Sequence, residues 1–418
     1  MLSGEWCDVH ILIVTQYFWP ENFKVNDLAE ELQRRGHQVT ILTGKPNYPG
    51  GDFYPGYGWL RKSQETYKGC RVVRSPLIPR GKGSAFRLAL NYFSFAALAS
   101  LIGPLLCRDH YDAIFVFETS PVTVGIPAIV MKKLLRKPLF FWVQDLWPDS
   151  LTATGMVRSP AVLSLVESLV KGIYHHCDVI LMQSEAFRET VLRQGVPEKK
   201  LRYLPNWAEP HYTPLERVGT EACTELPEGF RLVFAGNLGE AQDWPTLLAA
   251  AELLREQRDI HWVIIGDGRH RAWIGSQIVE LGLTETVHLI GPFRAEAMPV
   301  FFHQADALLV TLRRDPLFAL TIPSKLQTYL ACGRPILSAV GGETNRIVVQ
   351  AGAGSTCEPG DPAALASAVL RLYAASVEER MEMGRRAFDC YQDQFERKRL
   401  IDRLEGWLAE QAGTGARP

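Results

Sequence analysis

Short apolar runs alternate with amphipathic stretches along the whole chain, the signature of repeated βα units and a parallel sheet. Residues 10–14 read as the first strand. Residues 22–35 follow with Val25, Leu28, Ala29 and Leu32 at helical spacing, closed by Gly36. Further strands are expected at 38–43, 71–73, 113–117, 139–143, 179–182 and 201–204, which completes a Rossmann-like domain over residues 1–205. The next stretch, PNWAEPHYTPLERVGTEACTELPEG, is proline-rich and aperiodic, so an interdomain linker is placed at 206–229. A second alternation, RLVFAG, WVIIGDG, VHLIGPF, ALLVTL, PILSAV and GAGSTCE, gives a second domain of the same kind over 230–388. The segment 389–418 spaces Phe395, Leu400, Leu404, Trp407 and Leu408 as an amphipathic helix that needs a docking surface, expected on the first domain. Two doubly wound domains bind ligands beyond the carboxyl ends of their strands, and two facing copies imply a deep cleft between them.

The totals agree with a globular chain: 418 residues, 47% hydrophobic, 22% charged and a net charge of -1. Nothing in them points to nucleic acid. The near-neutral total hides one asymmetry. Between Arg61 and Arg87 stand eight basic residues against a single acid, Glu65. The uncharged run LALNYFSFAALASLIGPLLC follows directly and is long enough to cross a bilayer. A crossing would divide one sheet between two sides of the membrane. The run is therefore either a buried crossover helix or an element lying in the membrane interface beside its basic patch. The eight cysteines show no metal-ligand spacing, which suits reduced thiols in a cytosolic protein, and the first residues lack the basic start of a signal peptide.

Candidate chemistry lies in the loops after the strands. TQYFWPENFKVND offers Glu21 and Asn22 at a helix start, either as cap and dipole partner or in a substrate role. GKPNYPGGDFYPGYGW, with Asn47 and Tyr48, has the aromatic and amide content of a sugar-binding loop and equally that of an ordered excursion. FETSPVTVG presents the Thr119 and Ser120 hydroxyls, and WVQDLWPDS places Asp145 just past a strand end. That carboxylate either accepts a proton from a hydroxyl nucleophile or caps the next helix. In the second half, FAGNLGEAQDW and IIGDGRHR put Gly236, Gly266, Asp267 and Gly268 where backbone N–H groups approach a phosphate. In LTIPSKLQTYLACGRPIL, Pro323 and Ser324 open a short helix and Lys325 sits in its first turn, where an anion would be the simpler neighbour. No D-x-D pair is present to hold a divalent metal on a pyrophosphate.

These motifs, TQYFWPENFKVNDLAEELQRRGHQVTILTG, SPVTVG, QDLWPDS, LPNWAEP, FAGNLGEAQ, IPSKLQTYLACGRPIL and GAGSTCEPGD, resemble the bacterial glycosyltransferases of family 4, and the resemblance covers essentially the whole chain. It implies an α/β GT-B fold of two facing Rossmann-like domains. It also implies a donor nucleotide-sugar in the second domain and an acceptor, often a polyprenyl diphosphate glycan, in the first. The members it looks closest to build O-antigen, capsule or exopolysaccharide, fucosamine transferases among them, and retention is their habit. From the strand-end loops together with the resemblance, the donor is expected at Gly236, Asn237, Gln242, Gly266, Asp267, Gly268, Phe293, Pro323, Ser324, Lys325 and Thr328. The acceptor is expected at Asn22, Lys24, Asn47, Tyr48, Thr119 and Ser120, and catalysis at Asp145, Glu21 and Lys325. The family's two donor-site glutamates fall on Leu320 and Thr328. Its phosphate-binding arginine and lysine read Asn237 and Gln242, and its histidine reads Gln144, followed by Asp145.

The expectation is a metal-independent, cofactor-free transferase using a UDP-sugar, such as UDP-N-acetylfucosamine, and a lipid-linked glycan, held at the anionic inner face of the cell membrane from the cytoplasmic side. A GT-B nucleotide-sugar epimerase and a non-catalytic nucleotide-sugar-binding partner are the alternatives.

Overall fold

The computed structural model describes residues 8–81, 85–153, 155, 157–212 and 226–413. Most of the stretch read as a linker, 213–225, lies outside them, as does Lys82 of the basic segment. The chain divides into two compact units. One runs to Leu204 and takes in the C-terminal segment from Lys398, and the other is Pro205–Arg397.

The first unit contains β1 (His10–Val14), α1 (Lys24–Arg34), β2 (Gln38–Gly44), β3 (Gln64–Tyr67), β4 (Cys70–Ser75) and α2 (Ala85–Leu106). There follow β5 (Ala113–Glu118), α3 (Gly125–Leu135), β6 (Leu139–Val143), α4 (Asp149–Ala153), α5 (Pro160–His176), β7 (Val179–Met182), α6 (Arg188–Arg193) and β8 (Leu201–Tyr203). Its eight strands run in the order β3-β4-β2-β1-β5-β6-β7-β8, parallel apart from β3. The apolar runs form the interior strands because these are covered on both faces; every residue of β5 and β6 is buried. β3 is an addition to the expected strands. It pairs antiparallel with β4 through a two-residue Lys68-Gly69 turn, both residues at positive φ (47° and 88°), the geometry of a type I′ hairpin.

The second unit contains β9 (Phe230–Ala235), α7 (Trp244–Leu253), β10 (Ile260–Ile265), α8 (Arg271–Glu280), β11 (Val287–Ile290), α9 (Met298–Gln304), β12 (Ala307–Thr311), α10 (Pro316–Leu320) and α11 (Ser324–Ala331). It continues with β13 (Ile336–Ala339), α12 (Gly342–Ala351), β14 (Gly354–Thr356), α13 (Pro362–Ala374) and α14 (Val377–Gln394). Six parallel strands run β11-β10-β9-β12-β13-β14. Alternate residues of β9 enter opposite core layers, Leu232 and Phe234 on one face, Val233 and Ala235 on the other.

The last helix, α15 (Arg397–Ala412), belongs to the first unit. Its Glu405 is buried against His37 (2.8 Å) and shares Arg35 with Asp402 and Glu31. Leu400, Ile401, Leu404 and Leu408 supply the apolar face beside that polar lock.

α2 is the crossover between β4 and β5 of one sheet, which rules out a bilayer crossing. Asn91, Phe95, Ala96, Ala99 and Gly103 face inward, whereas Phe86, Leu90, Phe93, Leu101 and Leu105 form an exposed apolar stripe. The basic segment beside it is less free than its composition suggests. Arg74 is wholly buried on Glu65 and the carbonyls of Gly44 and Trp19. Arg71 pairs with Asp109 and Lys68 with Glu30. Half-burial of an edge hairpin, rather than a continuous basic face, accounts for much of the charge run.

Candidate functional site

The carboxyl ends of β1, β2, β5 and β6 bring the first unit's candidates together. Glu21 proves to be a brace. Its Oε1 accepts the N–H of Asn47 and of Tyr48 (both 2.7 Å), its Oε2 accepts the N–H of Phe18 (3.2 Å), and the side chain is buried. Burial pushes its pKa up to about 7 against those hydrogen bonds. A carboxylate so engaged fixes two loops, and a catalytic part for Glu21 does not fit. Asn47 is likewise internal: its Oδ1 accepts from Arg80 N (3.1 Å) and Asn91 Nδ2 (3.3 Å), and its Nδ2 donates to the Lys45 carbonyl (2.9 Å). Asn22 is exposed and does not cap α1, whose N-cap is Phe23. Asn26 ties the loop instead, donating to the Glu21 carbonyl and accepting from Trp19 N. Lys24 begins α1 and is half-buried.

Asp145 lies four residues ahead of α4, so the capping alternative falls away. Beneath it sits Glu118, the last residue of β5, to which the motif FETSPVTVG gave no role in the sequence. Glu118 Oε2 accepts the N–H of Gln144 (3.2 Å) and of Asp145 itself (3.3 Å). Burial, together with the Asp145 carboxylate, raises the Glu118 pKa well above the usual carboxylate range. Burial raises that of Asp145 to about 7. A buried carboxyl is therefore kept neutral directly under a second one that titrates near neutrality. Ser120, two residues on from Glu118, holds φ 119°, a left-handed value rare for a serine, and stands beside the Tyr92 hydroxyl. Thr119 shares the half-buried strand end, and neither is the N-cap of the following turn, which is Pro121. Aromatic rings pack beside them, Tyr17 and Trp147 buried and Tyr48 and Tyr92 partly open: Tyr92 meets Trp147 at 6.4 Å, and Tyr17 meets Tyr48 at 5.7 Å and Phe23 at 5.3 Å.

In the second unit the glycines serve loop-to-loop approach. A Cβ on Gly266 would fall 1.9 Å from the Gly236 carbonyl oxygen, and one on Gly268 2.6 Å from that of Leu238. Their amides are already spent: Gly236 N–H donates to Ile265, Gly266 N–H to Ile290, and Gly268 N–H to the Asp267 carboxylate. Those three N–H groups and Asp267 are accordingly occupied within the loops, not presented to an anion. Asn237 is exposed, and Gln242 is buried with its Oε1 lacking a hydrogen-bond partner among the described residues. Phe293 is half-exposed against Phe301 at 4.6 Å.

Pro323 is the N-cap of α11, one place earlier than the first helical turn, with Ser324 exposed behind it. Lys325 bends back across the end of β9. Its Nζ lies 5.0 Å over the Phe234 ring, and its Cε would be 2.8 Å from a Cβ on Gly236. No carboxylate pairs with it among the described residues, and burial lowers its pKa to about 8. Thr328 Oγ1 donates back to the Ser324 carbonyl (3.2 Å) within the helix. The neighbouring β13–α12 loop carries Gly341 and Gly342 at positive φ. A Cβ on Gly342 would strike the Ala319 carbonyl at 2.0 Å, so this loop packs against the segment leading into α11. The adjacent glycines in SAVGGETN were the available signal.

The comparisons with known proteins agree with this layout. Residues 23–207 match the glycosyl transferase 4-like domain, and residues 229–375 match glycosyl transferases group 1. WcaI of Escherichia coli K12, named as a glycosyl transferase of colanic acid biosynthesis, is 24% identical over 73% of this chain and 76% of its own. WbjE of Pseudomonas aeruginosa, named as a glycosyltransferase, is 26% identical over 72% and 74%. Among solved structures, sucrose-phosphate synthase of Thermosynechococcus elongatus superposes with a TM-score of 0.72 at 18% identity, covering 97% of this chain and 99% of that one. HepE of Anabaena in complex with UDP gives 0.66 at 14% identity, covering 96% and 100%. With a 4-like domain followed by a group 1 domain, each on its own parallel sheet, the chain belongs to the glycosyltransferases of the GT-B fold.

Proposed function

We propose that the chain transfers a sugar from a UDP-sugar to a lipid-linked glycan of the polyprenyl diphosphate kind in the synthesis of a surface polysaccharide such as O-antigen or capsule. The observation that carries this reading is Lys325, a cation without an acidic partner among the described residues, folded over the end of β9 at the start of α11. Holding a half-buried charge there without a partner is unfavourable unless an anion meets it. The naming of WcaI for colanic acid biosynthesis and the UDP bound to HepE support the substrate classes. The proposed sugar, an N-acetylaminodeoxyhexose such as N-acetylfucosamine, rests on the motif resemblance. In the step itself, the acceptor hydroxyl attacks the anomeric carbon and its bond to the diphosphate oxygen breaks. The hydroxyl proton passes to Asp145, and UDP departs with its charge against Lys325 and the first turn of α11.

Incubation with UDP-sugars and a polyprenyl-linked glycan tests it. Glycan extension, undiminished by chelator, is expected; isomerised donor without extension would mean an epimerase, and donor binding without turnover a non-catalytic partner.

The exposed stripe on α2 is proposed to rest on the cytoplasmic, inner face of the cell membrane, with Arg87 in its first turn and the exposed Trp59, Leu60, Arg61 and Lys62 as further contacts. Each cation near anionic lipid contributes about 1 kcal/mol, screened by salt. Flotation with anionic liposomes should weaken as salt rises while an apolar share persists. Equal partition into neutral and anionic vesicles would count against the charged part.

A further inference from the structure

Most cations between Arg61 and Arg87 with described surroundings are accounted for by an ion pair, by the edge hairpin or by open solvent. Arg80 is not. It is half-buried, and its main chain is pinned by the 3.1 Å hydrogen bond from its N–H to Asn47 Oδ1. That asparagine is itself wholly buried between Glu21, Asn91 and the Lys45 carbonyl. The guanidinium lies 4.8 Å over the Tyr48 ring, and its field reaches the hydroxyls of Tyr17 and Tyr92. Among the described residues no carboxylate stands within ion-pair distance of it.

We propose that Arg80 binds an oxyanion carried by the acceptor, a phosphate or a carboxylate, while the acceptor's attacking hydroxyl lies at Asp145. This deepens the transferase reading and rests on it. Rings connect the two places: Tyr48, under Arg80, touches Tyr17, Tyr17 neighbours Tyr92, and Tyr92 feels the Asp145 carboxylate and meets Trp147. Tyr48 and Tyr92, the open rings in this chain of contacts, can offer apolar faces to a glycan, while the buried Tyr17 and Trp147 pack behind them. A ring under the guanidinium keeps its fork of donors in one plane, so little freedom is lost when two of them meet an oxyanion. A solvated surface arginine would not need its main chain fixed by a buried asparagine, nor lie on the same strip of rings as the carboxylate pair.

Equilibrium binding and steady-state kinetics with matched acceptors test this. The three share one glycan and carry a diphosphate, a uronic acid carboxylate or a neutral ether. For Arg80→Ala the preference for the charged over the neutral acceptor should fall ten- to a hundredfold, the span of a charge-assisted hydrogen bond. Arg80→Lys should recover part of it as a point charge. A loss confined to the diphosphate acceptor identifies phosphate, and one confined to the uronate identifies carboxylate. An unchanged preference, or an equal fall for all three acceptors in a variant with wild-type melting behaviour, overturns the proposal. Binding and turnover fail separately. A wild type that binds the charged acceptor through Arg80 yet extends no glycan sinks the transferase reading and keeps the anion site. Extension indifferent to Arg80 does the reverse.

Discussion

Lys325→Ala is expected to weaken UDP binding ten- to a hundredfold while altering uridine binding little. The nucleoside lacks the diphosphate, so a cation that acts on phosphate is invisible to it. The magnitude follows from a charge-assisted hydrogen bond worth about 1.5–3 kcal/mol. Geometry gives the lysine little else to do: it spans the end of β9, rides on Phe234, and has no acidic partner among the described residues. Titration calorimetry with both ligands decides the matter. Equal losses, or none, would remove Lys325 from the phosphate.

The same lysine sets a pH dependence whose sign can be worked out. Burial brings its pKa down to about 8, whereas a bound diphosphate favours the charged form and raises it. Below about 8 the lysine is already protonated and binding is at its tightest. As the pH climbs past 8, binding must also take up a proton, and UDP affinity should fall. Calorimetry in buffers of different ionisation enthalpy should show that uptake near pH 9 and its loss in Lys325→Ala.

The doubly wound units were legible because strands covered on both faces are short continuous apolar runs that alternate with amphipathic stretches; the longer apolar run of α2 kept two readings. β3 escaped because QETY is polar and its turn uses Lys68 at φ 47°, where asparagine would announce a hairpin. Strand-end loops were legible as the place for chemistry, for the same topological reason. Roles inside them were not. Nothing local to Glu21 shows that its oxygens will be claimed by amides 26 and 27 residues away, nor that Asn47 will be buried. Glu118 was hidden just past the expected strand end among candidate hydroxyls, Tyr92 in an apolar run and Arg80 in a basic one. In each case a partner distant in sequence decides whether the group braces a loop or faces a ligand.

Asp145→Asn should lower kcat/KM by about 10²–10⁴, the usual range for a general base. It should do so without the loss of UDP affinity expected of Lys325→Ala, because the two residues handle different charges. The wild-type pH profile carries the sharper test. With its pKa at about 7, Asp145 holds a proton in acid and can accept none. The rate should therefore drop toward tenfold per pH unit below 7, where an ordinary carboxylate would keep it level to about 4. Glu118 does not compete for this role: it is wholly buried, and its Oε1 lacks a hydrogen-bond partner among the described residues. Its favourable state there is the neutral acid, which leaves Asp145 as the one charge of the pair. Measured from pH 4 to 9, kcat/KM reports the free enzyme. A profile flat down to about 4, or wild-type turnover in a folded Asp145→Asn variant, would mean that the hydroxyl proton goes elsewhere, a diphosphate oxygen of the departing nucleotide being the next base in reach of the reaction.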